Sequence, residues 1–215
     1  MQLVIFYKIL LVIASYFLGA VPTGYLIYKI KKGGDIRNEG SGNVGGTNVT
    51  RTAGVFAGVA TIALDALKGF IPILALYYLF PEDLILLVFV AVAAVLGHDF
   101  PVYLKFKGGK GISTSFGVII GICSFPFTDI SLWLRILPIF IVFFSWGIVF
   151  LASRIVSLAS LIGAALSPLS FYFTKHSLHA VIVGIFIFIL TLIAHRDNIK
   201  RLIRKEEKQL KRKGS

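Results

Sequence analysis

The sequence predicts an all-α fold: a polytopic transmembrane helical bundle of about seven spans, with the N-terminus outside and the C-terminus cytoplasmic. Three observations predict it. Of the 215 residues, 57% are hydrophobic and only 15% are charged, whereas a soluble domain devotes about a quarter of its residues to charge. The mean hydropathy is +0.87, and the surplus lies in runs close to the ~20 residues a helix needs to cross ~30 Å of hydrocarbon. The polar connections between the runs differ sharply in charge, as membrane topology requires.

The apolar runs fall at 3–28, 53–80, 84–97, 112–125, 132–152, 155–173 and 180–194. The first begins almost at Met1 with no basic leader, is too long for a signal core and shows no A-x-A-like cleavage site, so it reads as a permanent span. Run 53–80 is long, carries Asp65, Lys68 and Pro72, and reads as a single kinked helix. Runs 84–97 and 112–125 are short, each ~21 Å at 1.5 Å per residue, which leaves open a re-entrant course for the stretch between them. The last three runs are separated by Arg154 and by Lys175. The chain reads as one integral membrane domain, 1–215, ending in a basic tail, 196–215. There is no internal repeat.

The net charge is +12. Lys31, Lys32, Arg37, Arg51, Lys105, Lys107, Lys110, Arg154 and nine residues beyond His195 gather on one side, seventeen against Lys175 alone on the other. The positive-inside rule makes the rich side cytoplasmic. Charge distributed by topology excludes a nucleic-acid partner and points to membrane lipids and anionic substrates. The same assignment makes Asn48-Val49-Thr50 a cytoplasmic sequon that is not glycosylated. The tail beyond Arg201 reads as a lipid-facing anchor, and Lys8 and Arg135 as snorkelling side chains. Cys123, the single cysteine, has no disulfide partner.

Two polar loops carry candidate chemistry. In NEGSGNVGGTNVTR, residues 38–51, Gly40, Gly42 and Gly45 spell G-x-G-x-x-G. No strand–helix–strand unit surrounds it and no ribose-binding acid follows, so it is not a dinucleotide fingerprint. What remains is the underlying physics: closely spaced glycines let backbone N–H groups converge on an anion. Ser41, Asn43, Thr47 and Asn48 add side-chain donors, and Arg51 adds a charge suited to phosphate. In GHDFPVYLKFKGGKGISTSFG, residues 97–117, Gly108, Gly109 and Gly111 bracket Lys110, with Ser113 and Thr114 entering a helix. A Walker A reading fails at Leu104 and Gly111, but an anion cradle around Lys110 survives.

Two further stretches end apolar runs on the same side. AHRDNIKRL places His195 and Asn198 at i, i+3 on one helix face, and SRIVSLASL places Arg154 and Ser157 on one turn. Asp65 and Lys68, also i, i+3, neutralise one another at lipid depth. His176 and His179 are isolated, and no cluster has the spacing of a metal site. No metal and no cofactor are expected.

Together, SGNVGGTN with Arg51, GHDFP with FKGGKGIST, SRIVSLASL, HRDNIKRL and the DALKG stretch at 65–69 resemble the bacterial acyl-phosphate-dependent glycerol-3-phosphate acyltransferases. The resemblance runs in order over residues 41–202, with Gly46 where the family usually has alanine and Ile112-Ser113-Thr114 where it commonly has V-A-T. Residues 126–144 diverge. It implies a small membrane enzyme that acylates the sn-1 position of glycerol 3-phosphate to lysophosphatidate, with acyl phosphate as donor and the soluble enzyme that makes acyl phosphate as a partner. Other glycerophosphate acyltransferases use an H-x-x-x-x-D pair, but Tyr103, Val181, Gly184 and Lys200 stand five places after the four histidines. Positioning and charge stabilisation are then the expected means of catalysis. The expected catalytic residues are Lys110, Ser157, His195 and Asn198. The expected substrate-binding residues are Ser41, Gly42, Asn43, Gly45, Thr47, Asn48, Arg51, Gly108, Gly109 and Gly111. The alternative reading is a transporter or channel for phosphorylated anions, which would favour midplane sites on broken helices and repeated halves. A transferase using CDP-alcohols would need a run of metal-binding aspartates, which is missing.

Overall fold

A computed structural model describes residues 1–209; the last six residues of the basic tail lie outside the described residues. Each of the seven apolar runs becomes helical, and among the described residues there is no strand. Among the described residues, five stretches are long and apolar enough to cross a membrane, or six if the α9–α10 pair defined below, bent by 67°, is one span. The sequence reading of about seven is therefore not met by length alone. The run at 112–125 forms a helix of only 13 residues, and the run at 180–194 one of 17.

The chain forms two compact units, Met1–Gly121 and a second that begins at Ile122. The first unit opens with α1 (Gln2–Ala20) and α2 (Thr23–Lys32). The run read as 3–28 is thus two helices within one 31-residue apolar stretch. Pro22 causes the break, because it has no N–H to donate and its ring clashes with the preceding turn. α3 (Gly46–Ala53) leads through Gly54, at φ 93°, into α4 (Val55–Leu79). α4 is one continuous helix with Pro72 inside it, so run 53–80 is a single helix as expected. α5 (Leu84–Asp99) packs most extensively on α1, and α6 (Ile112–Ser124) follows the second polar loop.

Small residues let these helices approach, since in lipid packing rather than hydrophobicity draws helices together. A Cβ at Gly19 would overlap the carbonyl oxygen of Ala94, and one at Gly97 that of Tyr16, so α1 and α5 meet backbone to backbone. Gly69 and Thr114, and Gly117 and Ala66, do the same for α4 and α6. Lys8, expected to snorkel, is instead paired with Asp83 at 2.6 Å, with its ammonium 5.6 Å from the Phe80 ring centroid.

The second unit contains α7 (Leu132–Ser153), α8 (Val156–Phe173), α9 (Leu178–Ala194) and α10 (Arg196–Ile203). α8 packs on both α7 and α9. The Trp146 indole N–H donates to Ser160 Oγ at 3.3 Å, and Ser167 Oγ donates to Ala164 O at 2.8 Å with Gly184 O at 3.2 Å. Arg154 adopts φ 61° and ends α7. It therefore does not share a helical turn with Ser157, contrary to the sequence reading. Large apolar side chains such as Trp133, Ile148 and Phe173 remain exposed on this unit, as a lipid-facing surface requires.

Candidate active site at the glycine loops

The first glycine loop is built around one side chain. Asn48 Oδ1 accepts from the Ser41 N–H at 2.9 Å, while its Nδ2 donates to the carbonyls of Glu39 and Asn43, each at 2.9 Å. Both amide hydrogens and one oxygen lone pair are thus committed to backbone, so Asn48 fixes the course of residues 39–43. Asn43 Oδ1 in turn accepts from the Gly45 N–H at 2.8 Å, an Asx turn that delivers the chain to α3. Gly40 and Gly42 lie at φ 62° and 72°, in the left-handed region that favours glycine. A Cβ at Gly40 would also overlap Asn48 Oδ1. Thr47, Asn48 and Arg51 belong to α3, so this part of the predicted loop is helical. Its polar composition, GTNVTRTA, concealed the helix from a reading based on apolar runs.

Arg51 is exposed and forms no ion pair among the described residues, whereas Arg37 is occupied by Asp35. Arg37 Nη2 lies 2.6 Å from Asp35 Oδ2 and its Nε 3.0 Å from Oδ1. Hydrogen bonds from the Arg37 side chain hold the half-buried Asp35 carboxyl below its ordinary range.

The second loop is folded back on the end of α5. The Gly108 N–H donates to Asp99 O at 3.2 Å and the Gly109 N–H to His98 O at 3.1 Å. Gly111 takes φ 65° and admits the chain to α6. Ser113 and Thr114 sit in the first turn of α6, as expected, and Thr114 Oγ1 is buried without a hydrogen bond among the described residues. The Asp99 carboxylate lies against Gly111, and its two oxygens likewise make no hydrogen bond among the described residues.

A common core seats both loops. Val44 and Val49 of the first and Leu104 of the second are buried in one cluster with Tyr28, Ile36, Ala53 and Ala57. Beneath it lies a buried polar group that the sequence disclosed only in part. Lys68 Nζ is 2.7 Å from Asp65 Oδ1, as the i, i+3 spacing predicted. It also donates to Val21 O at 2.7 Å and faces His98 Nδ1 at 3.4 Å. Thr23 Oγ1 donates to Asp65 Oδ1. Thr23 and His98 were missed, because each lies far along the chain from the pair it completes.

In the second unit, three side chains converge on Glu207. Ser157 Oγ donates to Oε1 at 2.9 Å, Asn198 Nδ2 donates to the same oxygen, and Arg201 Nε donates to Oε2 at 2.6 Å. The sequence reading placed Glu207 in a lipid-facing tail; a helix-ending motif places it here. Lys205 takes φ 60°, its N–H bonds Leu202 O at 3.1 Å, and the Glu206 N–H bonds Arg201 O at 2.8 Å. This is a Schellman ending, which turns the chain back over α10. Burial pushes the Glu207 carboxyl up, but the bonds from Arg201, Asn198 and Ser157 outweigh it and hold the group below its ordinary range. His195, buried at the junction of α9 and α10, has Nδ1 3.0 Å from Thr191 O. A carbonyl only accepts, so Nδ1 carries the proton and in the neutral ring Nε2 carries the lone pair.

The first unit therefore brings Ser41, Gly42, Asn43, Gly45, Gly108, Gly109 and Gly111 into two loops on one core, the first of them tied down by Asn48 of α3. The second joins Ser157 and Asn198 through Glu207 and seats His195 at the head of α10. Fold and composition define an all-helical integral membrane protein with two glycine loops seated on one core. The family model described as glycerol-3-phosphate acyltransferase matches residues 9–205. Among similar proteins, a glycerol-3-phosphate acyltransferase of Endomicrobium trichonymphae is 41% identical over 95% of this chain and 96% of its own length. One of Aquifex aeolicus is 41% identical over 90% of this chain and 94% of its own. The crystal structure of PlsY (YgiH), an integral membrane glycerol 3-phosphate acyltransferase, in its glycerol 3-phosphate form, superposes with a TM-score of 0.83 at 38% identity. That match covers 95% of this chain and 96% of the other. The lysophosphatidic acid form superposes with a TM-score of 0.82 at 36% identity. This chain belongs to the glycerol-3-phosphate acyltransferase family.

Proposed function

We propose that the chain transfers a fatty acyl group from acyl phosphate to the sn-1 hydroxyl of glycerol 3-phosphate, giving lysophosphatidate and inorganic phosphate. The observation that carries this reading is the seating of two glycine loops on one core, since the reaction must hold two phosphates at once. Relatives crystallised in glycerol 3-phosphate and lysophosphatidic acid forms support the acceptor and the product. The reaction would run at the cytoplasmic face of a bacterial plasma membrane, N-terminus outside. The count of seventeen Lys and Arg on alternate polar connections and the tail, against Lys175 alone on the others, supports that orientation.

In this mechanism the glycerol oxygen attacks the acyl carbonyl, the new C–O ester bond forms and the C–O bond to phosphate breaks. Acyl phosphate is a mixed anhydride with a good leaving group, so a strong base is not required, and the departing phosphate takes the hydroxyl proton. Lys110 and Arg51 hold phosphate with help from the Gly111 N–H at the entry to α6. The N–H groups of Ser41, Gly42, Gly45, Gly108 and Gly109, expected as donors, are instead committed to Asn48 Oδ1, Glu39 O, Asn43 Oδ1, Asp99 O and His98 O and shape the loops. Asn43 and Asn48 set the shape of the first loop, and Thr47 adds a hydroxyl on α3. His195, Ser157 and Asn198 orient substrate or polarise the carbonyl, with Glu207 fixing the latter two. The enzyme that makes acyl phosphate is the natural supplier.

The test is turnover by purified protein with acyl phosphate, acyl-CoA and acyl-carrier protein compared as donors. Acyl phosphate alone should support turnover, and Lys110→Ala should remove most of it while the protein stays folded. Activity with acyl-CoA alone, or a folded Lys110→Ala protein with normal turnover, overturns the reading.

A further inference from the structure

The buried charges on α4 have no role in the reaction as described, yet they lead to the loop that carries Lys110. Asp65, Lys68 and His98 are all buried, with Lys68 and Asp65 side chains only 6% and 3% exposed. Charges placed there are expensive and persist where they do something a neutral core could not. Their contacts extend in two directions. Toward the α1–α2 break, Lys68 Nζ holds Val21 O at 2.7 Å, and Thr23, the first residue of α2, donates to Asp65. One residue further on, a Cβ at Gly24 would overlap the carbonyl oxygen of Val44, so the first glycine loop rests directly on the start of α2.

In the other direction, the His98 ring has Nδ1 3.4 Å from Lys68 Nζ and 3.7 Å from Asp65 Oδ1. Its opposite edge abuts Gly109: a Cβ there would overlap Nε2 and come within 2.9 Å of both flanking ring carbons. The His98 carbonyl also receives the Gly109 N–H at 3.1 Å. The imidazole thus stands between a fixed ion pair and the backbone beside Lys110.

We infer that Asp65, Lys68 and His98 form a positioning cluster that sets the spacing of the two glycine loops, with the His98 ring as the strut under Gly109. The ion pair fixes one edge of the ring, and the ring fixes the height of the 108–111 backbone. On this account Gly109 is glycine because His98 occupies the place of its side chain, whatever the phosphate requires. Misplacing a binding group by about 1 Å can cost ~100-fold in rate, so a strut buried behind the loop is felt in substrate binding although it touches no substrate.

The inference rests on the proposed phosphate role of the Lys110 loop, and turnover of the wild-type protein with acyl phosphate tests that role separately. The cluster is tested by a double-mutant cycle of His98→Ala and Gly109→Ala, read as KM for both phosphorylated substrates, kcat and thermal midpoint in detergent. Gly109→Ala alone should cost at least ~100-fold in kcat/KM, whereas in the His98→Ala background, where the overlap is gone, its further cost should be at least tenfold smaller. His98→Ala and Lys68→Met should each raise KM for one phosphorylated substrate about tenfold with kcat changed less than threefold, and together no more than either alone. A purely structural contribution lowers the thermal midpoint without moving KM. Equal losses from Gly109→Ala in both backgrounds, or unchanged KM in folded His98→Ala and Lys68→Met proteins, overturn the inference. If the activity of Gly109→Ala is too low to measure, the cycle is read on the thermal midpoint with the same criterion. Additive midpoint shifts then overturn it.

Discussion

Replacing Glu207 by Gln keeps the size of the side chain and removes its charge, and the structure allows the cost to be worked out. The carboxylate accepts from Ser157, Asn198 and Arg201. Hydrogen bonds to a charged acceptor contribute ~1.5–3 kcal/mol each and neutral ones ~0.5–1.5. Ser157 and Asn198 are buried, so a glutamine oxygen that keeps both bonds loses ~1 kcal/mol on each. Arg201 is 43% exposed, so solvent screening limits its share to ~0.2–1 kcal/mol, and the new amide N–H₂ would face another donor. The expected cost is ~2–3 kcal/mol for Glu207→Gln, and more for Glu207→Ala, which leaves two buried donors without an acceptor. At ~2–4 °C per kcal/mol, Glu207→Gln should lower the thermal midpoint in detergent by several degrees at pH 7. Because the carboxyl is held below its ordinary range, the clasp's stabilisation is present above the unfolded value of ~4.3. It is lost as pH falls through the still lower folded value. The gap between wild type and Glu207→Gln should therefore be constant from pH 8 to pH 5 and close in stronger acid. A Glu207→Gln midpoint equal to wild type at pH 7, or a gap that acid leaves unchanged, refutes this reasoning.

Asn48→Ala should free residues 39–43 from three bonds of ~1 kcal/mol each, seen as faster hydrogen exchange at Ser41 and as a large loss of turnover. Asn48→Asp, which keeps the acceptor but turns a buried carboxylate oxygen onto the carbonyls of Glu39 and Asn43, should cost at least as much. Lys205→Gly should raise the thermal midpoint, since a residue with a Cβ in the left-handed region costs ~1–2 kcal/mol, and turnover should not change. Valine at Gly97 or Gly69 meets a backbone carbonyl of the neighbouring helix, which no rotamer can relieve. Each should cost ~1–3 kcal/mol or more, read as a lower midpoint and poorer yield from membranes.

The helices were legible because lipid writes its demand along the chain as uninterrupted apolar length: the run read at 132–152 is the helix Leu132–Ser153, and 155–173 is Val156–Phe173. The glycine loops were legible as loops because closely spaced glycines and polar side chains interrupt the apolar runs, and Gly40, Gly42 and Gly111 do take the left-handed backbone that glycine permits. The Asp65–Lys68 pair was legible because a helix places i and i+3 together. What escaped shares a different geometry. Ser157 and Glu207 are 50 positions apart, and Lys68 and Val21 are 47; such contacts follow from how helices pack, which a single chain's pattern does not encode. Glu207 was concealed further, because the turn that retrieves it from the tail needs a left-handed residue and the sequence puts Lys205 there instead of glycine. The same holds for Gly109, where a motif reading credits the glycine to phosphate and the structure finds a histidine ring in the space a side chain would fill. A glycine in a phosphate loop has two faces, one toward the ligand and one toward the protein. Only the first is visible as a motif, so substitutions at the loop have to be paired with changes behind it before a loss of activity is assigned to lost substrate contact.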